Sequence, residues 1–310
     1  MFSALSVRKA LIRYLSSLNP ERFRGKTFVV TGGNSGIGKA LCKELASLGA
    51  RVVIACRSLE RGQIAKEEIE RSVPGAEVTV RLLDLASIAS ILSFVSGLRE
   101  EGLDIYGFVH NAGVFRPKDG LTEDGFEITA GTNFLGTGIL NELLLPYFHA
   151  LPHEVDVVFA SSLSATWHRF DPRLLEGDFR PGKLKRYAIS KRAIHGYAMA
   201  LGQEEKGNVK ILLAHPGVTF TPLFIKGYPK PFAALVGFFF RLFLHDPESA
   251  ATSFLKALSE GKPGAYYGPR GLGHVSGKGT AYGFPKKLRK GNDAILSFLR
   301  EKASEILIQK

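Results

Sequence analysis

The sequence predicts an α/β protein with one doubly wound parallel sheet and helices on both faces, and three observations predict it. Short apolar runs alternate with longer segments of helical periodicity from Lys26 to Ala214. The runs are almost continuously apolar, as in Phe28-Val29-Val30 and Val52-Val53-Ile54-Ala55, which suits strands covered on both faces. A glycine-rich turn, Thr31-Gly32-Gly33-Asn34-Ser35-Gly36-Ile37-Gly38, joins the first run to the first helical segment, where a βαβ unit needs a tight crossover.

In chain order, Lys26–Thr31 reads as a strand and Ile37–Leu48 as a helix. Arg51–Cys56 is a second strand, followed by a charged helix to Arg71. Val78–Leu83 is a third strand with a helix to Leu98, and Ile105–His110 a fourth with a long helix over Phe126–Phe148. Val155–Ala160 is a fifth, Tyr187–Gln203 a helix and Val209–Ala214 a sixth strand. The glycine-rich stretch 261–285 reads as a surface loop holding one short strand at Ala265–Tyr267, and a closing helix is expected over 286–306. No repeat or linker divides the chain. The expected organisation is an amphipathic extension over residues 1–24 and one domain over 25–310, with 219–245 laid over it as a substrate-covering segment.

The composition, 45% hydrophobic and 23% charged in 310 residues, supports a sizeable core and argues against disorder. Cys42 and Cys56 stand in apolar segments without metal spacing, which fits core thiols in a reducing, intracellular setting. The eight histidines are scattered, so no metal site is expected. The formal charge of +12 favours anionic partners: a phosphorylated cofactor, an acidic membrane surface or nucleic acid. A solvated basic surface explains it equally well. No zinc-finger or aromatic RNA-binding motif is present, so no nucleic-acid partner is expected.

Residues 1–20 carry Arg8, Lys9 and Arg13 with no acid, and Leu11, Leu15 and Leu18 recur at helical spacing. Three readings stand: a helix packed on the domain, an interfacial helix that makes the protein peripherally membrane-associated, or a transit peptide. The apolar segment 232–244 is interrupted by Arg241 and is shorter than the ~20 residues a membrane span needs. A lid, a buried helix or a membrane-dipping element fit it.

Glycines 32, 36 and 38 let the turn after the first strand bend sharply and bring backbone N–H groups, together with a helix N-terminus, against a pyrophosphate. Asn34, Ser35 and Ile37 belong to the same loop. The spacing is Gly-x-x-x-Gly-x-Gly. A site for NAD usually places an acid at the end of the second strand to hold the ribose 2′-hydroxyl. Here the strand ends Ala55-Cys56-Arg57-Ser58. Arg57 suits a 2′-phosphate and Ser58 offers a hydroxyl, so NADP(H) is expected over NAD(H).

Tyr187-Ala188-Ile189-Ser190-Lys191 places a phenol and an ammonium on one helix face. Hydride transfer to a carbonyl leaves an alkoxide that must gain a proton, and a tyrosine beside a positive charge can deliver it. Ser162, after the fifth strand, can donate to the same substrate oxygen.

With these motifs in order, the chain resembles the short-chain dehydrogenase/reductase family over roughly residues 26–222, which implies a Rossmann-type fold. The resemblance implies that Asp84, with Leu85 beside it, contacts the adenine, and that Asn111, Ala112 and Gly113 of His110-Asn111-Ala112-Gly113 line its ribose. It implies that Asn133 serves a proton relay and Ser162 polarises the substrate, with Tyr187 and Lys191 touching cofactor as well as substrate. Pro216, Val218 and Thr221 would hold the nicotinamide amide and pyrophosphate. His110 departs from the family's usual asparagine and reads as a structural residue.

Ala55-Cys56-Arg57-Ser58, Asn133-Phe134-Leu135-Gly136, His215-Pro216-Gly217-Val218 and the long Ser162-to-Tyr187 interval are similar to the retinol dehydrogenase-like branch. That branch implies NADP(H) and lipophilic aldehydes, ketones or alcohols. The interval carries Trp167, His168, Arg180, Lys183, Lys185 and Arg186. These are solvated at the pocket mouth, touch phospholipid or bind an acidic substrate. The alternative function is a non-catalytic NADP(H)-binding sensor or scaffold. A homo-oligomer is compatible with either.

Overall fold

The computed structural model describes Tyr14 and residues 18–177, 179, 181–217, 246–271 and 278–309. The described residues form eight strands: β1 (Thr27–Thr31), β2 (Arg51–Cys56), β3 (Glu77–Leu82), β4 (Ile105–His110), β5 (Val155–Ala160), β6 (Val209–Ala214), β7 (Tyr266–Pro269) and β8 (Gly279–Tyr282). They form one sheet in the order β3-β2-β1-β4-β5-β6-β7-β8. All neighbours pair in parallel except β7 and β8. The chain winds outward from β1 to β3 and restarts on the other side at β4. The ends of β1 and β4 therefore flank a crevice of the kind in which open α/β sheets bind ligands.

Strand residues alternate between two cores. Val29, Val53, Phe108, Val157 and Phe159 face one layer; Phe28, Val30, Val52, Ile54 and Val158 face the other. Each buried side chain of this size contributes about 1.5–3 kcal/mol, so both faces demand apolar residues and the strands read as continuous runs. Helices α1 (Gly36–Ser47), α2 (Leu59–Ser72), α3 (Ile88–Glu100), α4 (Thr137–His149), α5 (Lys183–Glu204), α6 (Pro247–Glu260) and α7 (Asn292–Ile308) supply the covering layers.

Several elements differ from the sequence reading. The helix expected from Phe126 begins with Ile128–Ala130, capped by buried Glu127, and continues through a π-helical segment, Gly131–Gly136, into α4. Helix α5 starts at Lys183, one turn before Tyr187. The closing helix starts at Asn292, because Gly291 holds a left-handed φ of 71° that a continuous helix cannot include. Strand β8 falls in the stretch expected as loop. Its Gly279 packs so tightly on α6 that a Cβ there would lie 2.7 Å from Ser253 Cα, so the glycine serves packing and not flexibility.

Of the N-terminal extension, Tyr14 and Leu18 pack into the second core, and the Tyr14 hydroxyl donates to the Thr252 carbonyl at 3.1 Å. The remainder of residues 1–17 and the segment 218–245 lie outside the described residues. No helix among the described residues is long and apolar enough to cross a membrane.

Candidate active site

The crevice at the ends of β1 and β4 is built from close backbone approaches. Gly32 has φ 67°, and a Cβ on it would meet Ala112 Cα at 3.0 Å; a Cβ on Gly38 would run into the Gly32 carbonyl and the Asn111 amide. Asn111 Nδ2 donates to the Thr31 carbonyl at 2.9 Å, and the Ala112 N–H donates to Thr31 Oγ1 at 2.9 Å. Asn111 is thus a brace between two loops, with Thr31 as its partner. Gly36, at φ 53°, opens α1. Ser35 at the N-cap is exposed and makes no capping hydrogen bond, so no side chain there competes for the first N–H groups of α1. Asn34 and Ile37 flank it, half-buried. An uncapped, positively polarised helix end facing a glycine cradle suits a diphosphate.

Arg57 is exposed at the end of β2 and forms no ion pair among the described residues. Ser58 caps α2, its Oγ accepting from the Arg61 N–H at 3.3 Å, which leaves its hydroxyl hydrogen to donate. Asp84 Oδ1 accepts from the Ala86 N–H at 2.9 Å; one carboxylate oxygen therefore shapes the turn. Leu85 buries its side chain, and its carbonyl presses on Gly136 where a Cβ would collide. This contact sets the loop after β3 against the π-helical turn. Pro216 is half-buried beside Gly217 at φ 76°. Val218 and Thr221 lie outside the described residues.

Asn133, Ser162, Tyr187 and Lys191 converge beside this crevice. Asn133, in the π-helical turn, is 2% exposed. Its Oδ1 accepts from the Val114 N–H at 2.7 Å, and its Nδ2 donates to the Val114 carbonyl at 2.9 Å and to Ser190 Oγ at 3.1 Å. Ser190 in turn donates to the Tyr187 carbonyl at 2.8 Å. π-helical turns commonly mark functional sites; this one aims a side chain inward that regular helix geometry would displace. Gly113 faces the same space: a Cβ there would stand 3.1 Å from Asn133 Oδ1 and 3.7 Å from Lys191 Nζ.

Ser162 lies two residues after β5 and caps a 3₁₀ turn over Leu163–Thr166. Its Oγ accepts from the Ser164 N–H at 3.2 Å and from Ser164 Oγ at 2.9 Å. With its acceptor capacity used, its single hydrogen is left for donation. It is hydrogen-bonded with Tyr187, which partly offsets the effect of burial: desolvation pushes the Tyr187 phenol up to about 12. Lys191 donates to the Ala160 carbonyl at 2.9 Å. Desolvation brings its ammonium down to about 8. Phe115 stands edge-on to the Tyr187 ring at 4.8 Å.

Four contributors were not singled out in the sequence: Thr31, Ser190, Phe115 and the buried Ser161. The signal for Ser190 was available, since it sits three residues after Tyr187 on the same helix face. Ser161 Oγ pairs with His195 Nδ1 at 2.8 Å and accepts from the Tyr266 hydroxyl at 3.1 Å, tying β5, α5 and β7 together behind the site. His110 is buried, bonded through Nε2 to Asn141 at 3.2 Å, and held neutral by desolvation that lowers its pKa to about 3. It is a structural strand-end residue. Arg186 corrects an expectation. It is not at the pocket mouth but 6% exposed, paired with Glu127 at 3.3 Å and with Asp119, because a guanidinium taken out of water needs carboxylate partners. Arg180 lies outside the described residues.

A family model described as short chain dehydrogenase matches residues 26–230. Human retinol dehydrogenase 11 is 35% identical over 240 residues, covering 76% of this chain and 74% of the relative. Human dehydrogenase/reductase SDR family member 13 is 38% identical over 247 residues, covering 77% and 63%. Among solved structures, an uncharacterized protein from Mycobacterium paratuberculosis superimposes with a TM-score of 0.72 at 28% identity, covering 94% of this chain and 97% of the other. A short chain dehydrogenase/reductase from Burkholderia phymatum in complex with NAD superimposes with a TM-score of 0.60 at 18% identity, covering 93% and 96%, and shares the fold. The ordered motifs, the wound sheet and these likenesses agree: the chain belongs to the short-chain dehydrogenase/reductase family of alcohol/carbonyl oxidoreductases and is similar to its retinol dehydrogenase-like branch.

Proposed function

We propose that the protein is an NADP(H)-dependent oxidoreductase of lipophilic carbonyls and alcohols, and that Asn133, Ser162, Tyr187 and Lys191 carry the reaction. The observation that carries this reading is the convergence of the Tyr187 hydroxyl, the Ser162 hydroxyl and the Lys191 ammonium at the mouth of the glycine-lined crevice. The crevice fits a dinucleotide. Gly32, Ser35, Gly36 and Gly38 would take its diphosphate, Asp84, Leu85, Asn111, Ala112 and Gly113 its adenosine side, and Arg57 with Ser58 a 2′-phosphate. When bound, such a cofactor supplies or takes the hydride.

The chain's own residues handle the proton. With a substrate oxygen in place, Ser162 turns toward it the hydrogen it otherwise gives to Tyr187, and Tyr187 gives its phenolic proton to that oxygen as negative charge develops there. Lys191, positive and held in place by Ala160, stabilises the phenolate left behind. Its charge matters more because the surroundings are poorly solvated. Asn133 holds Val114 and Ser190 so that Tyr187 keeps its place. Oxidation of an alcohol runs the same proton backwards.

The absence of an acid at the end of β2, with Arg57 in its place, supports NADP(H). Similarity to human retinol dehydrogenase 11 supports a lipophilic substrate. The test is turnover of medium-chain aldehydes, retinal and aromatic ketones with NADPH and with NADH, repeated with Tyr187→Phe. The variant should lose ~10²–10⁴-fold in kcat, the usual contribution of a positioned acid, while still binding NADPH. Undiminished turnover would remove Tyr187 from its role. NADPH binding without turnover on the whole panel would favour the sensor.

A further inference from the structure

A cleft of 560 Å³ opens beside the site, lined by Arg116, Trp167, His168, Lys183, Leu184 and Lys185. Its walls are extensions of the two catalytic elements. Trp167 and His168 follow the 3₁₀ turn begun by Ser162. Lys183 and Leu184 lie four and three residues before Tyr187, hence on its face of α5 and within about one helical turn, ~5 Å, along the axis. Arg116 follows Phe115, whose ring touches Tyr187. The cleft therefore lies within a few residues, along three chain segments, of the place where a reacting carbonyl would sit.

Its chemistry is mixed in a specific way. Trp167 and Leu184 are about half exposed, at 55% and 48%, and offer apolar surface. Around them stand three formal cations and a histidine. Lys183 is committed: it donates to the Pro117 carbonyl at 2.8 Å and pairs with Asp119 at 3.5 Å. Arg116 forms no ion pair among the described residues; Lys185 forms none within bonding distance there, although its charge helps to lower the Asp171 carboxyl. Arg116 is also the one non-glycine residue among those described with positive φ, 46°. A backbone in that region costs of order 1 kcal/mol, and such strain clusters at ligand-binding positions. A wholly apolar substrate gives Arg116 nothing to pair with.

We propose that this cleft is a subsite for the anionic end of an amphipathic substrate, so that the favoured substrates are medium-chain oxo acids or hydroxy acids rather than neutral aldehydes. The alkyl chain lies on Trp167 and Leu184, and the carboxylate meets Arg116 and Lys185. The separation from acid to reacting carbon is one to two helical turns, ~5–11 Å. The idea rests on the proposed oxidoreductase reading, and two readouts separate their failures.

The first readout is kinetic: kcat/KM with NADPH for octanal and for its ω-carboxylated counterpart, in the wild type and in Arg116→Gln/Lys185→Gln. The expected result is at least a tenfold preference for the acid, with the ratio between the substrates collapsing toward one in the variant. Equal turnover of both substrates, or a loss in the variant that is uniform for both, overturns the subsite and leaves the oxidoreductase standing. The second readout needs no catalysis. Trp167 is the only tryptophan in the chain, so fluorescence excited selectively at tryptophan, past the absorption of the tyrosines, reports on this cleft. Titration with octanoate should give a saturable change, weakened at least tenfold in the variant, and octanol should bind more weakly. If neither substrate turns over yet octanoate binds this way, the oxidoreductase reading fails and the anion subsite survives. A response to vesicles of anionic phospholipid, with none to octanoate, would make the cleft a membrane contact and overturn the proposal.

Discussion

The Lys191 ammonium lies 5.9 Å from the centre of the Tyr187 ring, one turn further along α5. Both groups are desolvated, so burial pushes each toward its neutral form: the phenol up to about 12 and the ammonium down to about 8. Burying an ammonium whose hydrogen-bond acceptor among the described residues is a carbonyl costs stability, and the proposed reaction gives that positive charge a chemical use.

A pH dependence of stability follows from Lys191. Its folded pKa is depressed from the ordinary 10.5 to about 8, so between those values the unfolded chain binds more protons than the folded one. Stability should then rise as pH increases from about 8 toward 10.5, by at most ~3 kcal/mol. Below 8 the cost is present in full. Urea unfolding at pH 7.5 and 9.5 should show that rise in the wild type and a smaller one in Lys191→Met. A variant with the full wild-type slope would mean that the ammonium is solvated in the folded protein.

Much of this was legible in the sequence because burial on both sheet faces leaves a strong signal. Phe28 to Val30 and Val52 to Ala55 read as strands since every one of those positions faces a core. The glycine turn and the Tyr187/Lys191 spacing were equally plain. What escaped were features set by tertiary contact. The π-helical turn at Gly131–Gly136 packs against the Leu85 carbonyl at Gly136, a tertiary contact that no local propensity encodes. Strand β8 needs its one glycine, Gly279, because it packs on α6. Helix α6 itself carried signals that went unread: Asp246 as N-cap accepting from the Ser249 N–H at 2.6 Å, Pro247 at its first turn and left-handed Gly261 past its end.

Arg57 gives a cofactor prediction. An exposed guanidinium at the end of β2, with no ion pair among the described residues, can bind a 2′-phosphate by charge-assisted hydrogen bonds, each worth roughly 1.5–3 kcal/mol. Arg57→Glu should lower kcat/KM for NADPH by ~10–100-fold while that for NADH holds or improves, as the carboxylate can accept from a ribose hydroxyl. Parallel kinetics with the two cofactors check it. Equal losses for both would place Arg57 outside the 2′-phosphate site.

Asn133 should show both structural and catalytic effects. Its amide satisfies the N–H and carbonyl of Val114 and reaches Ser190. Asn133→Ala leaves those groups wanting, at about 1–3 kcal/mol for a buried unsatisfied partner. It also loosens Phe115, next in the chain, against Tyr187. Chemical denaturation should show the stability loss, and kcat should fall more than KM rises. A variant with normal stability and normal kcat would show that water replaces the amide without consequence.

Asp156 offers the opposite pH sign, far from the site. It is 6% exposed in β5, its Oδ2 accepts from Arg22 Nη2 at 2.7 Å, and its Oδ1 has no partner among the described residues. Desolvation outweighs the Arg22 guanidinium and lifts the carboxyl from 3.8 to about 6. Between those values the folded chain binds more protons than the unfolded one, so stability should fall as pH rises from about 4 to 6, by at most ~3 kcal/mol. Asp156→Asn keeps an acceptor for Arg22 and removes the buried charge. Because Arg22 is 31% exposed and can be hydrated, losing the charge pair costs little. The variant should therefore lose the slope and be at least as stable as the wild type at pH 7. Urea midpoints at pH 4.5 and 7 check this. A variant much weaker at pH 7 would mean that the ion pair outweighs the desolvation of the carboxylate, and that Asp156 is ionised in the folded protein well below pH 6.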